Sequence, residues 1–193
     1  MLSKPTLQND FVRLESLLND HAESLVKCIN EEMWSGMVVP PPTSRESMEI
    51  YIASMVSDTS KIPFVVIDQM NGQVVGSTSF YDYVPSQERV ELGSTFYHRK
   101  VWGSAINPSC KLLLCDYAFT QLKIHRLALR CDSRNKRSIA AIKKLGGVYE
   151  GTLREHRIAG DGNRSDTMYF SIMKQEWPAA RRKLEKRILL LKS

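Results

Sequence analysis

Residues 98–108 read His-Arg-Lys-Val-Trp-Gly-Ser-Ala-Ile-Asn-Pro, a basic run of small residues. A strand-like stretch, Arg89 to Tyr97, precedes it, and a helical one, Cys110 to Leu122, follows. Small residues let the backbone come close to a ligand, and a helix N-terminus points free N–H groups at it. A strand, such a loop and a helix in succession form a device for holding phosphate, so the spacing points to a phosphorylated cofactor. Gly103 serves this purpose or is only a turn glycine. His98, His125 and His156 lack the spacing of a catalytic or metal-binding group, and no His/Cys cluster has zinc spacing. No metal is expected.

The elements around the loop must hold it in place. Residues 11–17 alternate apolar and polar, the period of a half-buried strand. Asp20-His-Ala-Glu23 fits a capping box ahead of a helical face of Leu25, Cys28 and Ile29. Residues 33–42 read as a loop closed by three prolines. Thr43-Ser-Arg-Glu46 is a second capping box, before Met48, Ile52, Met55 and Val56 at helical spacing. Stretches 63–68, 73–83 and 89–97 read as an antiparallel meander, with Met70-Asn71-Gly72 as a hairpin signal. Asn107 as N-cap and Pro108 at N1 predict a helix over 108–122, with Leu113, Leu114, Tyr117, Ala118 and Leu122 on its buried face. A strand over 125–131 and a helix over 135–145, stopped by Gly146-Gly147, come next. Strands 148–158 and 167–173, joined across Gly160-Asp161-Gly162, and a helix over 175–191 complete the chain. The order β-αα-βββ-α-β-α-ββ-α predicts one α/β (α+β) domain with a mixed, mostly antiparallel sheet.

The chain has 193 residues, 42% apolar and 25% charged, which suits a globular protein that buries a core without staples. Its net charge of +6 is unevenly spread. Residues 181–193 hold Arg181, Arg182, Lys183, Lys186, Arg187 and Lys192 against Glu185 alone. The remainder is close to neutral, which does not suit a nucleic-acid-binding body. Beside Ile188-Leu-Leu-Leu191 the tail reads as an amphipathic helix, a basic extension over 181–193 of a domain over 1–180. Contact of the tail with RNA, a ribosome or a membrane is the alternative. Cys28, Cys110, Cys115 and Cys131 form no C-x-x-C pair and read as free buried thiols in a reducing compartment. The polar first ten residues have no signal-peptide core, and no run approaches the roughly 18 apolar residues of a membrane helix. A cytoplasmic protein with no membrane partner is expected.

Several stretches come in a telling order. These are Val90-Glu91-Leu-Gly93, Lys100-Val-Trp-Gly103-Ser-Ala105, and Lys111 through Phe119. Asp132-Ser-Arg-Asn135-Lys-Arg-Ser138, Lys144-Leu-Gly-Gly147, Glu150-Gly-Thr-Leu-Arg154 and Glu176-Trp-Pro178 follow. Together they resemble the GCN5-related N-acetyltransferase (GNAT) family over roughly residues 10–180, and within it the ribosomal-protein alanine and serine acetyltransferase (RimJ/RimL-like) branch. The resemblance implies acetyl-CoA as co-substrate and transfer to an amine acceptor, a protein N-terminus or a small molecule. It implies that backbone amides of Val101, Trp102, Gly103, Ser104, Ala105 and Ile106 bind the coenzyme A pyrophosphate. Lys100 stands where the family has Gln or Arg. Asn135 is carried over as the ligand of the pantetheine arm, and its other reading is a helix N-cap.

Acetyl transfer to an amine needs a base for the amine proton, donors for the developing oxyanion and an acid for the leaving thiolate. Glu91, on the strand beside the loop, is the candidate base or a structural partner for a cation. Many family members carry a Tyr seven residues after the Asn, where this chain has Ile142, and Ser138 fits the serine that some members of the branch use instead. Tyr169 lies near a family hydroxyl position whose match here is Phe170-Ser171. By analogy the loop 33–42 and the hairpin 158–165 recognise the acceptor, with Trp34, Met33 and Met37 walling a groove or packing in the core. Trp102 lines the thioester channel or packs beneath its loop. A homodimer, proximity of the tail to rRNA, transfer of a larger acyl group such as succinyl, and a binding module without catalysis stay open.

Overall fold

The run Ile62-Pro-Phe-Val-Val-Ile67 is apolar throughout, a pattern a strand carries when both its faces are covered. In the computed structural model, which describes residues 5–34 and 36–191 with backbone alone at Glu31 and Glu32, this run is β3 (Ile62–Asp68). It belongs to one sheet with β1 (Leu7–Gln8), β2 (Val12–Ser16), β4 (Val74–Val84), β5 (Arg89–Tyr97), β6 (Arg126–Asp132), β7 (Val148–Ile158) and β8 (Arg164–Met173). The spatial order is β1-β2-β3-β4-β5-β6-β8-β7. Every neighbouring pair is antiparallel except β5 and β6, which run parallel. Helices α1 (Ala22–Val26), α2 (Glu31–Trp34) and α3 (Arg45–Ser57) cover one face, packing Leu25, Trp34 and Ile52 near Val65, Ile67 and Phe96. Helices α4 (Ile106–Thr120), α5 (Lys136–Leu145) and α6 (Trp177–Leu190) cover the other, with Leu114, Ile142 and Leu184 in the core of Phe64, Leu92 and Leu129. All four cysteines are free and buried.

Several helix starts differ from the sequence expectation. Helix α4 begins at Ile106, with Ala105 at the cap position, so Asn107 and Pro108 lie inside its first turn. The start signal is Ser104, whose Oγ accepts from the Ile106 N–H at 3.2 Å. Proline is tolerated there because its missing N–H would lack a helical partner anyway. The Asp20–Glu23 box does not form. The Leu18 N–H donates to His21 Nδ1 at 3.1 Å, and a 3-10 turn over Asn19–His21 leads into α1. The second box is shifted by one residue. Ser44 Oγ accepts from the Ser47 N–H at 3.2 Å, and Ser47 Oγ accepts from the Ser44 N–H at 3.0 Å. Val56 is exposed rather than on the core face, and the two-residue β1 is too short to show a period.

Helix α6 runs unbroken past residue 180, and Leu184 and Ile188 are buried. Trp177 stacks on Phe119 at 5.7 Å and donates from Nε1 to Asp116 Oδ1 at 2.8 Å, while Arg181 pairs with the same carboxylate at 3.0 Å. The first part of the basic tail is thus docked on α4. Lys192 lies outside the described residues.

One feature of the sheet positions everything below. Strands β5 and β6 pair only at Arg89↔Arg126, Val90↔Leu127 and Glu91↔Ala128. Beyond Glu91 the two strands separate and leave a slot. The cause lies in β5: Ser94 adopts φ +46°, and the β4–β5 register shifts between Ser77 and Ser79. Such a bulge bends its strand away from the ladder.

Candidate active site

Glu91 occupies the last rung of the parallel ladder and is only 7% exposed. Its neighbours Val90 and Leu92 face the α4 core, so alternation turns Glu91 to the opposite face. There Arg130 of β6 lies with Nε 3.1 Å from Glu91 Oε2. Arg130 also donates to the Tyr169 hydroxyl at 3.0 Å and lies over the Tyr81 ring at 5.1 Å. Gly93 permits this assembly, because a Cβ there would meet Tyr81 Oη at 2.7 Å. Burial raises the Glu91 pKa above the usual carboxylate range; Arg130 opposes the rise and Asp82 adds to it. A carboxylate so placed accepts a proton more readily near neutral pH than a solvated one.

At the open end of the slot stands the loop before α4. The sequence expectation that all the amides from Val101 to Ile106 face a ligand needs correction. The N–H groups of Val101, Trp102 and Ser104 donate to His98, Arg99 and Val101 carbonyls at 3.1, 3.1 and 3.3 Å, and that of Ile106 to Ser104 Oγ. Among the described residues, the amides of Gly103, Ala105 and Asn107 have no protein acceptor. Gly103 has φ +79°, and a Cβ built on it would meet nothing within 4 Å. Lys100 is exposed and bonds through Nζ to Gln73 Oε1, on the turn before β4. Trp102 packs beneath its loop, with its indole N–H donating to the Tyr97 carbonyl at 3.0 Å, and it also lines a cleft of about 600 Å³.

The far wall of that cleft is the start of α5, with Asn135, Lys136 and Arg137. Asn135 caps the helix, its Oδ1 accepting from the Ser138 N–H at 2.9 Å. Ser138 lies beside the Cys131 thiol, on the part of β6 that pairs with β8 but no longer with β5. Asn135 and Ser138 are therefore brought together beside the slot. The Arg137 guanidinium lies 3.8 Å over the Trp102 ring and joins the two walls. Arg134 is committed to Asp132 at 2.8 Å and Asp161 at 3.0 Å.

Trp34 is 1% exposed and does not reach a groove. It packs between Tyr51 at 5.4 Å and Phe96 at 5.1 Å, and its indole N–H donates to the Val39 carbonyl at 2.8 Å. It pins instead the loop that holds Val39. That loop meets the β7–β8 hairpin where the Gly160 N–H donates to the Met37 carbonyl at 2.9 Å. Met33 is buried and Met37 half-buried.

Asp132, 2% exposed, ties this region together through Arg134 and through Arg157 at 3.3 Å. Burial alone would raise its pKa, but the Arg134 hydrogen bonds and charge outweigh that and hold it well below the usual carboxylate range. A depressed folded-state pKa stabilises the fold above the unfolded value of about 3.9, and the contribution is lost as pH falls below it. Asp132→Asn is expected to lower Tm at pH 7, with the gap to wild type narrowing below about pH 4. Thermal melts over pH 3–8 check this, and a gap independent of pH refutes it.

The sequence reading did not single out Arg130, Tyr81, Asp82 or Asp132. A signal for Arg130 was present: Leu127, Leu129 and Cys131 alternate toward the core, which leaves Ala128 and Arg130 on the other face. Its partners come from three other strands, and no local pattern reveals them.

Among the described residues no group of three His, Cys, Asp or Glu side chains is placed to hold a metal ion. No helix there is long and apolar enough to cross a membrane. The chain is 29% identical over 114 residues to the uncharacterized N-acetyltransferase p20 of Bacillus licheniformis, covering 59% of this chain and 63% of that protein. It is 26% identical over 107 residues to YdaF of Bacillus subtilis strain 168, provisionally named a ribosomal N-acetyltransferase, covering 55% and 57%. The chain spans less than two thirds of the length of these two curated relatives. In fold it matches Mycobacterium smegmatis RimJ, solved in complex with CoA-disulfide, with a TM-score of 0.80 at 17% identity, covering 94% of this chain and 92% of that one. A GCN5-related N-acetyltransferase from Brucella melitensis gives a TM-score of 0.89 at 24% identity, covering 95% and 85%. Residues 12–148 match the acetyltransferase (GNAT) domain family. That match runs through both strands of the slot and through α4 and α5, and the chain belongs to the GNAT family of N-acetyltransferases.

Proposed function

We propose that the chain moves the acetyl group of acetyl-CoA to a primary amine by direct transfer in a ternary complex. The observation that carries this reading is that the ladder between β5 and β6 ends on a buried carboxylate, so the closed end of the slot holds a base. Bound acetyl-CoA supplies an activated thioester. The chain's own groups fit that molecule at two places. The free amides of Gly103, Ala105 and Asn107, at the start of a 15-residue helix, suit a pyrophosphate. The edges of β5 and β6 that have lost each other as partners suit the amides of an extended pantetheine arm.

Glu91 takes the amine proton. Ser138, beside the part of β6 that no longer pairs with β5, donates toward the leaving sulfur. Direct transfer is favoured because no thiol here is a ready nucleophile. Burial pushes the Cys110 and Cys115 thiols up to about 12 and that of Cys28 up to about 11. The decisive assay measures CoA release from acetyl-CoA over a panel of peptides with free N-termini and small amines. Amine-dependent release is expected, and its absence with acetyl-CoA still bound overturns catalysis. Succinyl-CoA in the same assay tests the choice of acyl group.

The acceptor class follows the RimJ/RimL-like likeness toward ribosomal-protein N-termini, supported by the name of YdaF. The basic tail fits this, since Arg182, Lys183 and Lys186 are exposed on the outer side of α6. Reversing Arg182 and Lys186 to Glu is expected to lower turnover several-fold on a ribosomal particle but not on a short peptide. Equal effects on both substrates would remove the tail from recognition. Charge reversal suits this test better than truncation, because Leu184 and Ile188 anchor the helix.

A further inference from the structure

Arg130 lies two residues beyond the last β6 rung, on the part of the strand that has already left β5. Its side chain nevertheless returns to β5. Nε is 3.1 Å from Glu91 Oε2, Nη2 is 3.9 Å from Asp82 Oδ2, and Nη1 donates to the Tyr169 hydroxyl at 3.0 Å. The guanidinium lies over the Tyr81 and Tyr169 rings at 5.1 and 5.9 Å. One side chain thus ties together β4, β5, β6 and β8 where the sheet divides.

Two features argue that this is more than a surface ion pair. Asp82 stands at φ +50°, in the left-handed region, within a bulge where the β4–β5 register shifts between Tyr81 and Val84. Aspartate tolerates that conformation better than most residues but still at a cost. The result is a second carboxylate on Arg130, so the guanidinium faces two acids and a phenol. Glu91 itself sees Tyr81 and Asp82 from β4, Arg89 from its own strand and Arg130 from β6. Of the two cations only Arg130 makes an ion pair with it.

We infer that Arg130 is the positioning residue of the base: it fixes the place and the charge of the Glu91 carboxylate across the division of the sheet. This rests on Glu91 being the base. A guanidinium never gives up its own proton, whereas a neutral residue at 130 leaves a buried acid facing Asp82. Without Arg130 the acid limb of the pH–rate profile moves to higher pH, because the group that opposes protonation of Glu91 is gone.

The test is the pH dependence of kcat/KM, from pH 5 to 9, for wild type, Arg130→Gln, Arg130→Lys and Glu91→Gln. For Arg130→Gln the acid limb is expected to move up by about one pH unit, with CoA affinity unchanged. Arg130→Lys keeps the charge and returns most of the shift, with kcat still several-fold low because one ammonium cannot reach Glu91, Asp82 and the Tyr169 hydroxyl together. A buttress that acts only on folding would lower the rate at every pH and leave the limb in place in both variants, and that result overturns the inference. Should Arg130→Gln fold poorly, an unmoved limb in Arg130→Lys with wild-type kcat overturns it equally. The amine adds an acid limb of its own at about 7.7–8.0 that all four proteins share; if Glu91→Gln also keeps the lower limb, the base itself is misassigned and the inference falls with it. If that variant loses the limb while Arg130→Gln does not move it, only the role of Arg130 is lost.

Discussion

Glu91→Gln is expected to lower kcat/KM for the amine acceptor by about 10²-fold or more, with CoA affinity close to wild type. The substitution preserves shape and removes only the capacity to hold a proton. Among the described residues the charged and hydrogen-bonding neighbours of Glu91 are Arg130, Asp82, Tyr81 and Arg89, none of them in the loop before α4 or in α5, so cofactor binding has no reason to change. The pH profile gives the sharper readout. An amine attacks only when neutral, and a free α-amino group has a pKa of about 7.7–8.0, so one limb belongs to the substrate. The second limb belongs to Glu91. Burial raises its folded-state pKa, so the rate falls as pH drops through a value above the ordinary carboxylate range. The variant keeps the substrate's limb and loses the enzyme's. Identical profiles for the two proteins would show that water, or another group, takes the proton.

The same residue shows how far the sequence can be read. That Glu91 lies on a strand was legible, since residues 89–97 read as the third strand of a meander, and that strand has the predicted bounds. Its place at the division does not follow. The division depends on Ser94 entering the left-handed region, and serine does not advertise that conformation as glycine would. The loop before α4 was legible as a loop because small residues stand before a helix. Which of its amides are open was not, because that depends on turns closed within residues 98–104. Asn107-Pro108 looked like a helix start because both types favour one, yet Ser104 supplies the oxygen three residues earlier than expected. Asn135 was legible in one of its two readings, the cap, since capping needs only residues 135–138. Trp34 was misjudged as a possible groove wall because burial against Tyr51 and Phe96 is set by tertiary contacts from α3 and β5. Local chemistry was readable wherever its partners were close in sequence, and the cluster around Arg130, with partners 39 to 48 residues away, was not.

Gly103→Val is expected to weaken CoA binding by about 10–100-fold, or roughly 1.4–2.7 kcal/mol. Crowding within the protein is not the reason, since a Cβ at this position meets nothing within 4 Å. Two other effects combine. A β-branched residue at φ +79° is a conformational outlier, with a cost of about 1–2 kcal/mol or more for leaving the right-handed regions. If the loop relaxes to relieve it, the open amides of Gly103, Ala105 and Asn107 lose their common direction. If the loop does not relax, the isopropyl group stands in the open space a pyrophosphate would enter. Either outcome weakens the anion site. The same strain is expected to lower the melting temperature by a few degrees, about 2–4 °C per kcal/mol for a chain of this length. Binding of 3′-phospho-ADP, which carries the pyrophosphate without the pantetheine arm, should fall by a similar factor, which locates the defect at the phosphates. At saturating acetyl-CoA the acid limb from Glu91 should stay in place, because the base lies at the other end of the slot. A valine variant that binds CoA as tightly as wild type would move the phosphate site away from this loop.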